Sequence, residues 1–409
     1  MEKTKRLKLP IWDSNDIIKR EEFNNAAKNL ENSLLKNSTA ALFGLDENAV
    51  PDDAFRVIAT SYGRYKIKLH LTFEGRAFSG VAVGGITTAS GGTVSTDTNG
   101  LAEGYTYEPS GTLSVPQVCL DIPAFTIPYN TNGNLLTEIT HDAKTDSSTK
   151  QVEVTESGNF RLSPAVTAFD AFLVGGGGSG AVCVGERRAC SGAGGGYTNT
   201  LLDIENDGSE FTATIGAGGV TNMSSTGASN GNTGGATTLT HNGATLATAD
   251  GGKRGTYSNI DSATAYRTAA GGDGGSGGGC GYVGRYGGRA TDGGSDGSNG
   301  ADNTYNTTVS GGTGQGTTTR AFGESSGKLY CGGGGAAAVC DDGDADSFYS
   351  GYGGDGGGAD GVKKTSTNAS NAVSAATAYG GGGGGCVQRN SSYYAKSTGY
   401  QGVVILRWE

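Results

Sequence analysis

Residues 172–185 read FLVGGGGSGAVCVG, an apolar run ending in Gly175-x-Gly177-x-x-Gly180. That is the spacing of the glycine turn that holds a dinucleotide pyrophosphate. Such a turn needs a helix behind it and an acidic residue further on. Here the chain continues AVCVGERRACSGAGGG and returns to glycine within a few residues, so nucleotide binding is not expected. The other chemistry-bearing residues are equally dispersed. His70, His141 and His241 have no nucleophile or acid at a useful spacing, although sequence distance alone leaves a spatial triad open. Cys183 and Cys190, or Cys331 and Cys340, are too far apart for the short cysteine pairs of zinc sites. They are read as small buried residues beside glycine runs, with reduced thiols. Asp342, Asp344 and Asp346 alternate as in a calcium loop, but the loop's glycine and late glutamate are missing, so a solvated acidic turn is expected. No carboxylate pair of the glycosidase kind can be picked out. The expectation is a protein without catalysis, cofactor or metal.

Binding chemistry is better represented. Aromatic faces stack on sugar rings, and neighbouring polar groups bond to hydroxyls. Four polar stretches combine the two: TAYRTAA (264–270), GYVGRYGGR (281–289), SFYSGY (347–352) and NSSYYAKS (390–397). They supply Tyr266, Arg267, Tyr282, Arg285, Tyr286, Phe348, Tyr349, Tyr352, Tyr393 and Tyr394 as candidate receptor-binding residues. Some of these tyrosines are equally readable as covers for a glycine core. Arg187 and Arg188 offer charge to an anionic polymer or simply to solvent.

These residues need elements to hold them. Of 409 residues 76 are Gly and 7 Pro, only 17% are charged, and the formal net charge is −10. The acidic balance argues against a nucleic-acid surface. No apolar leader follows the first residues and no stretch is long enough to cross a membrane, so synthesis in a cytoplasm is expected. Residues 14–36 predict a helix whose Phe23, Ala27, Leu30 and Leu34 form a narrow apolar seam that needs a partner, either the next module or, as its narrowness favours, copies of itself. Residues 42–58 hold a second short helix beginning at Pro51. YKIKLHLTF (65–73) alternates throughout and predicts a half-buried antiparallel strand. Shorter strands at 79–86, 92–97, 102–108, 125–130 and 150–156 extend it into a β-sandwich. Three regions result: a helical segment 1–63, a β-sandwich 64–157, and a glycine-rich region 158–409.

Most glycines lie in the last region, in runs at 175–178, 194–196, 271–279, 332–335, 353–358 and 380–385. Disordered glycine chain is poor in aromatic and β-branched residues. These runs are instead bracketed by AFDAFLV, KLYCGGGGAAAVC, AYGGGGGGCV and GVVILRW. Such anchors imply burial. Oligoglycine takes the polyproline II helix, three residues per turn with no internal hydrogen bonds. Without Cβ atoms those helices can pack closely enough to bond laterally. The fold expected is mostly β and irregular, with an N-terminal helical segment, a β-sandwich and a polyproline II bundle, in an elongated homo-oligomer. The polar stretch 197–270 is read as a long loop or a subdomain of its own.

SGNFRLSPAVTAFDAFLVGGGGSG (157–180), the later runs and GYQGVVILRW (399–408) resemble the glycine-rich distal domain of bacteriophage tail fibres. A related glycine-rich region occurs outside receptor kinases of the anaplastic lymphoma type. LKLPIWDSNDIIKREEFNNAAKNLE and ALFGLDENAVPDDAF resemble the start of tail-fibre proteins from phages of Gram-positive bacteria, and residues 78–105 are similar to a transthyretin-like sandwich. The resemblance implies a homotrimeric virion protein. It would attach to tail or baseplate proteins through its N-terminus and bind a bacterial surface glycan or protein with its distal loops. A structural tail component without receptor contact is the alternative.

Overall fold

The computed structural model describes residues 2–3, 10–11, 64–144, 150–185, 188–259, 267–283, 300, 319–339, 348–364, 370–389 and 391–409. The expected helices at 14–36 and 51–58, with Phe23, Ala27, Leu30 and Leu34, lie outside them. The described residues are almost entirely β, with no α-helix and no closed barrel; one short 3-10 turn covers Ala321–Gly323. Two compact units form, Met1–Val118 with Ile122–Asp146, and Cys119–Asp121 with Ser147–Glu409.

In the first unit Tyr65–Phe73 is a strand, and Ile67, Leu69, Leu71 and Phe73 are fully buried, as the alternation requires. It pairs antiparallel with Leu101–Thr106 but parallel with Leu136–Ala143, so it is a central strand of a mixed sheet rather than a purely antiparallel one. Ser110–Val115 pairs with Phe125–Asn130 as a separate ribbon. The predicted strand near 150–156 is present as Gln151–Val154, but in the second unit.

The second unit has three layers along its passes. At the base lie two four-stranded sheets. One runs Gln151–Val154, Val403–Arg407, Ala168–Val174, Thr198–Glu205; the other runs Gly158–Phe160, Phe211–Thr214, Thr237–His241, Ala244–Ala249. Between them Phe160, Leu162, Phe169, Phe211, Leu239, Leu406 and Trp408 form an apolar core. The opposite face of the first sheet buries Phe172, Val174, Val403 and Ile405 beneath Tyr330 and Phe322. The described part of 197–270 is thus neither a long loop nor a subdomain of its own. Its first part builds base strands, and its small apolar residues Ala213, Ala247 and Ala249 are buried.

Above the base is a layer built mostly of glycine backbone. Run 175–181 leaves strand Ala168–Val174, and its N–H groups rotate among three neighbours. Gly175 donates to Tyr197 O (2.9 Å), Gly178 to Gly194 O (3.1 Å) and Ala181 to Ser191 O (3.1 Å). Gly176 and Ser179 donate to Gly235 O and Asn232 O, both at 2.9 Å. Gly177 donates to Tyr400 O (2.9 Å) and Gly180 to Ser397 Oγ (2.8 Å). Its carbonyls accept from three more segments, through Gly252 and Gly255, through Gly219, and through Gly383 and Cys386. Six chain segments therefore surround one run. Run 191–197 repeats the rule: positions 191, 194 and 197 donate to Thr256, Lys253 and Asp250, positions 192 and 195 to Gly279 and Ser276, and positions 193 and 196 to Gly383 and Gly380. In both runs the partner changes with a period of three.

Close packing explains the glycines. A Cβ at Gly177 would lie 2.0 Å from Gly381 O, at Gly194 2.0 Å from Asp273 O, and at Gly192 1.9 Å from Gly334 O. Gly158, outside the layer, has nothing within 4 Å of such an atom.

The third layer, the tip, is a set of small sheets where the passes turn. Val182–Val184 pairs with Gly227–Ser229 and Cys386–Gln388, which pairs with Val362–Lys364. Arg188–Cys190 pairs with Tyr257–Asn259 and Ala337–Val339, which pairs with Phe348–Ser350.

Candidate functional site

The registers carry the candidate loops to this one end. Arg267–Ala269 pairs with Gly281–Val283, so Arg267 is in register with Val283 and Tyr282 with Thr268. Gly272 and Gly275 bond to Gly192 and Gly195, which sets that hairpin beside the Cys190 end of run 191–197. Phe348 and Tyr349 pair with Val339 and Ala338, next to Ala189 and Cys190. Tyr393 and Tyr394 lie between the tip strands Cys386–Gln388 and Ala395–Thr398. Asn371 fixes this turn: its Oδ1 accepts from the Tyr394 N–H (3.2 Å), while the Ala372 N–H donates to Tyr394 O (3.0 Å).

Tyr352 is 67% exposed and Tyr394 37%, whereas Tyr393 is half-buried. Tyr352 begins a returning pass, beside Gly351, whose N–H donates to Ala336 O (2.7 Å). Tyr266, Arg285, Tyr286 and Arg187, and the acidic turn at Asp342, Asp344 and Asp346, lie outside the described residues. The tip thus gathers Arg267, Tyr282, Phe348, Tyr349, Tyr393 and Tyr394 from positions far apart in sequence. An exposed phenol offers a ring face to sugar C–H groups and a hydroxyl to their oxygens.

Two hydrophobic clusters support the tip from within. Ala181, Cys183, Cys190, Ala337 and Val387 form one, and Val182, Val184, Ala372, Cys386 and Ala395 the other. Cys183 and Cys190 are joined by a disulfide across the first turn, Cα to Cα 6.7 Å. This corrects the expectation of reduced thiols. The two cysteines end antiparallel passes of one hairpin, so their seven-residue separation brings them face to face. Cys119, Cys331 and Cys386 are free and buried, and Cys280 is buried. Burial pushes the Cys386 thiol up to about 12, and that of Cys119 to about 12.

One constellation invisible in the sequence lies at the base. Ser209 Oγ is 2.6 Å from His241 Nε2, and Asp207 Oδ1 is 3.2 Å from the same nitrogen. A catalytic relay places the carboxylate on the opposite ring nitrogen. Here both partners share Nε2, and the ring lies flat on buried Phe211 with centroids 4.1 Å apart. Hydrogen bonds from the Ser209 side chain and backbone hold Asp207 below the ordinary carboxylate value. The trio fastens the 206–209 turn to the hairpin at Asn242. His70 Nε2 contacts Asn99 O (3.1 Å), and His141 stacks on Phe125. Among the described residues, no three His, Cys, Asp or Glu side chains gather as metal ligands, and no helix is long and apolar enough to cross a membrane.

Two further features carried no sequence signal. The Lys328 ammonium lies 5.1 Å and 5.0 Å from the ring centres of Tyr330 and Tyr379, and Tyr379 meets Tyr400 edge-on. In the first unit a groove of about 740 Å³ is lined by Val83, Ile86, Ser114, Val115 and Phe125, with no ionisable group among its lining residues.

A comparison with curated proteins finds no match. A family model described as a glycine-rich domain matches residues 154–409, which contain the glycine layer, the tip and the base sheets apart from edge strand Gln151–Val154. That match spans more than half of the chain, and the chain belongs to the glycine-rich domain family.

Proposed function

We propose that the protein is a bacteriophage tail-fibre adhesin whose tip attaches the virion to a bacterial surface, without catalysis. In this reading the glycine runs are polyproline II helices. They form a stiff stalk, and the aromatic turns at its end meet a surface glycan or protein. The observation that supports it best is the convergence of Arg267, Tyr282, Phe348, Tyr349, Tyr393 and Tyr394 on one end of the second unit. Segment 1–63 is assigned to trimer formation and attachment to tail or baseplate proteins. Three copies of each turn then give avidity from individually weak sugar contacts.

Adsorption of the labelled full-length chain to a panel of bacterial strains tests this. Strain-selective binding, competed by purified wall polysaccharide and lost on replacing Tyr352, Tyr393 and Tyr394 together by Ala, is the expected outcome. A folded chain that adsorbs to no strain would leave the alternative, a structural virion component.

A further inference from the structure

Residues 395–407 cross the second unit in one extended pass and bond in all three layers. At the tip Ala395–Thr398 pairs with both Val220–Met223 and Ala372–Ala375. In the glycine layer Gly399 N–H donates to Gly219 O, Tyr400 to Gly381 O and Gly402 to Gly216 O, while Tyr400 O accepts from Gly177 and Gln401 O from Gly380. At the base Val403–Arg407 is inserted between Gln151–Val154 and Ala168–Val174. Both of its faces are buried: Val403 and Ile405 enter the core under Tyr330, while Val404 and Leu406, followed by Trp408, enter the core between the sheets.

The partners of this pass come from distant sequence. Ser397 Oγ, which accepts the Gly180 N–H, lies 217 residues from it, and the Gln401 side chain donates to Thr155 O across 246 residues. Until residue 407 has been synthesised, run 175–181 lacks one of its six neighbours. The N–H groups of Gly177 and Gly180 then have no acceptor, and both apolar cores lack their central strand. Buried donors without acceptors and half-filled cores are not tolerated.

We propose that residues 397–407 are a closing strap: the second unit stays open until they enter the slot between 151–154 and 168–174. The slot takes the same segment from a separate molecule, a second copy included. The contacts of this segment are backbone hydrogen bonds, side-chain hydrogen bonds of Ser397 and Gln401, ion pairs of Arg407 with Asp170 and Glu324, and apolar packing, none of which needs the strap to be covalently continuous with the rest.

The test is the chain ended after Lys396, compared with the full chain by amide hydrogen exchange and limited proteolysis, with and without a peptide of residues 397–409. The strap predicts that the amides of residues 176–179 and 192–195 lose protection in the shortened chain, while Ile67 and Leu69 in the first unit keep theirs. The added peptide restores protection saturably, and the same peptide carrying Gly399→Ala and Gly402→Ala does not. Retention of protection without residues 397–409 overturns the proposal. So does loss that no concentration of the peptide repairs.

Discussion

The base and the glycine layer of the second unit are continuous along the same passes, yet they are held together by opposite means. At the base, Phe169, Phe172, Phe211, Leu173 and Ile405 are fully buried, and stability comes from apolar area removed from water. In the layer, Gly176, Gly177, Gly194 and Gly383 present almost nothing but peptide groups, bonded in three directions. Ordering a residue costs about 1–2 kcal/mol and glycine more than most, while a peptide hydrogen bond returns about 0.5–1.5 kcal/mol net. The layer is therefore near balance by itself. The surplus comes from the apolar clusters at both of its ends, which is why the runs are bracketed by strands such as Ala168–Val174 and Val182–Val184. A glycine core is thus a spacer that is rigid only while both ends are anchored.

The largest effect that sharpens this contrast is at an anchor. Phe172→Ala removes a ring in contact with Phe322 and Tyr330. It is expected to cost about 3–5 kcal/mol in chemical denaturation. Because the layer lacks a surplus of its own, protection of its glycine amides should fall with the base in one transition. Independent melting of base and layer would break the comparison.

Next comes the reverse substitution. Gly177→Ala or Gly194→Ala adds one methyl against a backbone carbonyl and should destabilise by about 1–3 kcal/mol or more. Gly158→Ala, where the space is open, should stay within about 0.5 kcal/mol. Equal midpoints for the layer variants and the Gly158 variant would show that the layer is loose. Ser397→Ala leaves the Gly180 N–H without its acceptor and is expected to cost about 1 kcal/mol on the same scale.

How far these features could be read from sequence follows from the same contrast. The strand at 65–73 was legible because large apolar residues alternate with charged and polar ones, which puts all the apolar side chains on one face. The burial of the glycine runs was legible from their apolar brackets. The base sheets within 197–249 were not, because strands such as Thr237–His241 and Ala244–Ala249 fill their inner face with Leu239, Ala247 and Ala249 and read as polar chain. Ser110–Val115 and Leu136–Ala143 escaped for a like reason, since their residues are mostly Ser, Thr, Gly and charged side chains. At the tip, the aromatic turns were picked out by composition, but their meeting depends on registers set tens of residues away. The trio of Asp207, Ser209 and His241 and the cluster of Lys328, Tyr330 and Tyr379 unite residues that no spacing rule connects.

Two smaller effects probe each region in turn. The Cys386 thiol is buried against the layer and raised to about 12, so at pH 8 a thiol reagent should modify it only as fast as the unit opens. Labelling at the rate of a free cysteine would mean that this end is open. At the base, Asp207 is held below its ordinary value by bonds from Ser209. A carboxylate lowered in the folded state contributes stability above its unfolded value, lost as pH falls through the folded one. Asp207→Asn should therefore flatten the acid limb of a stability profile below about pH 4, with its loss of stability confined to pH above that limb. An acid limb as steep in the variant as in the parent would show that the turn does not depend on this carboxylate.

The central claim is that glycine backbone, anchored by apolar clusters at both ends, forms a rigid interior, and amide hydrogen exchange of the full chain with isotopically labelled glycine tests it most directly. The account predicts that Gly176, Gly177, Gly178, Gly194 and Gly383 exchange as slowly as the amides of strand Val403–Arg407, while the open turn glycine Gly243 exchanges fast. Rapid exchange throughout the runs, with the base strands still protected, would contradict it.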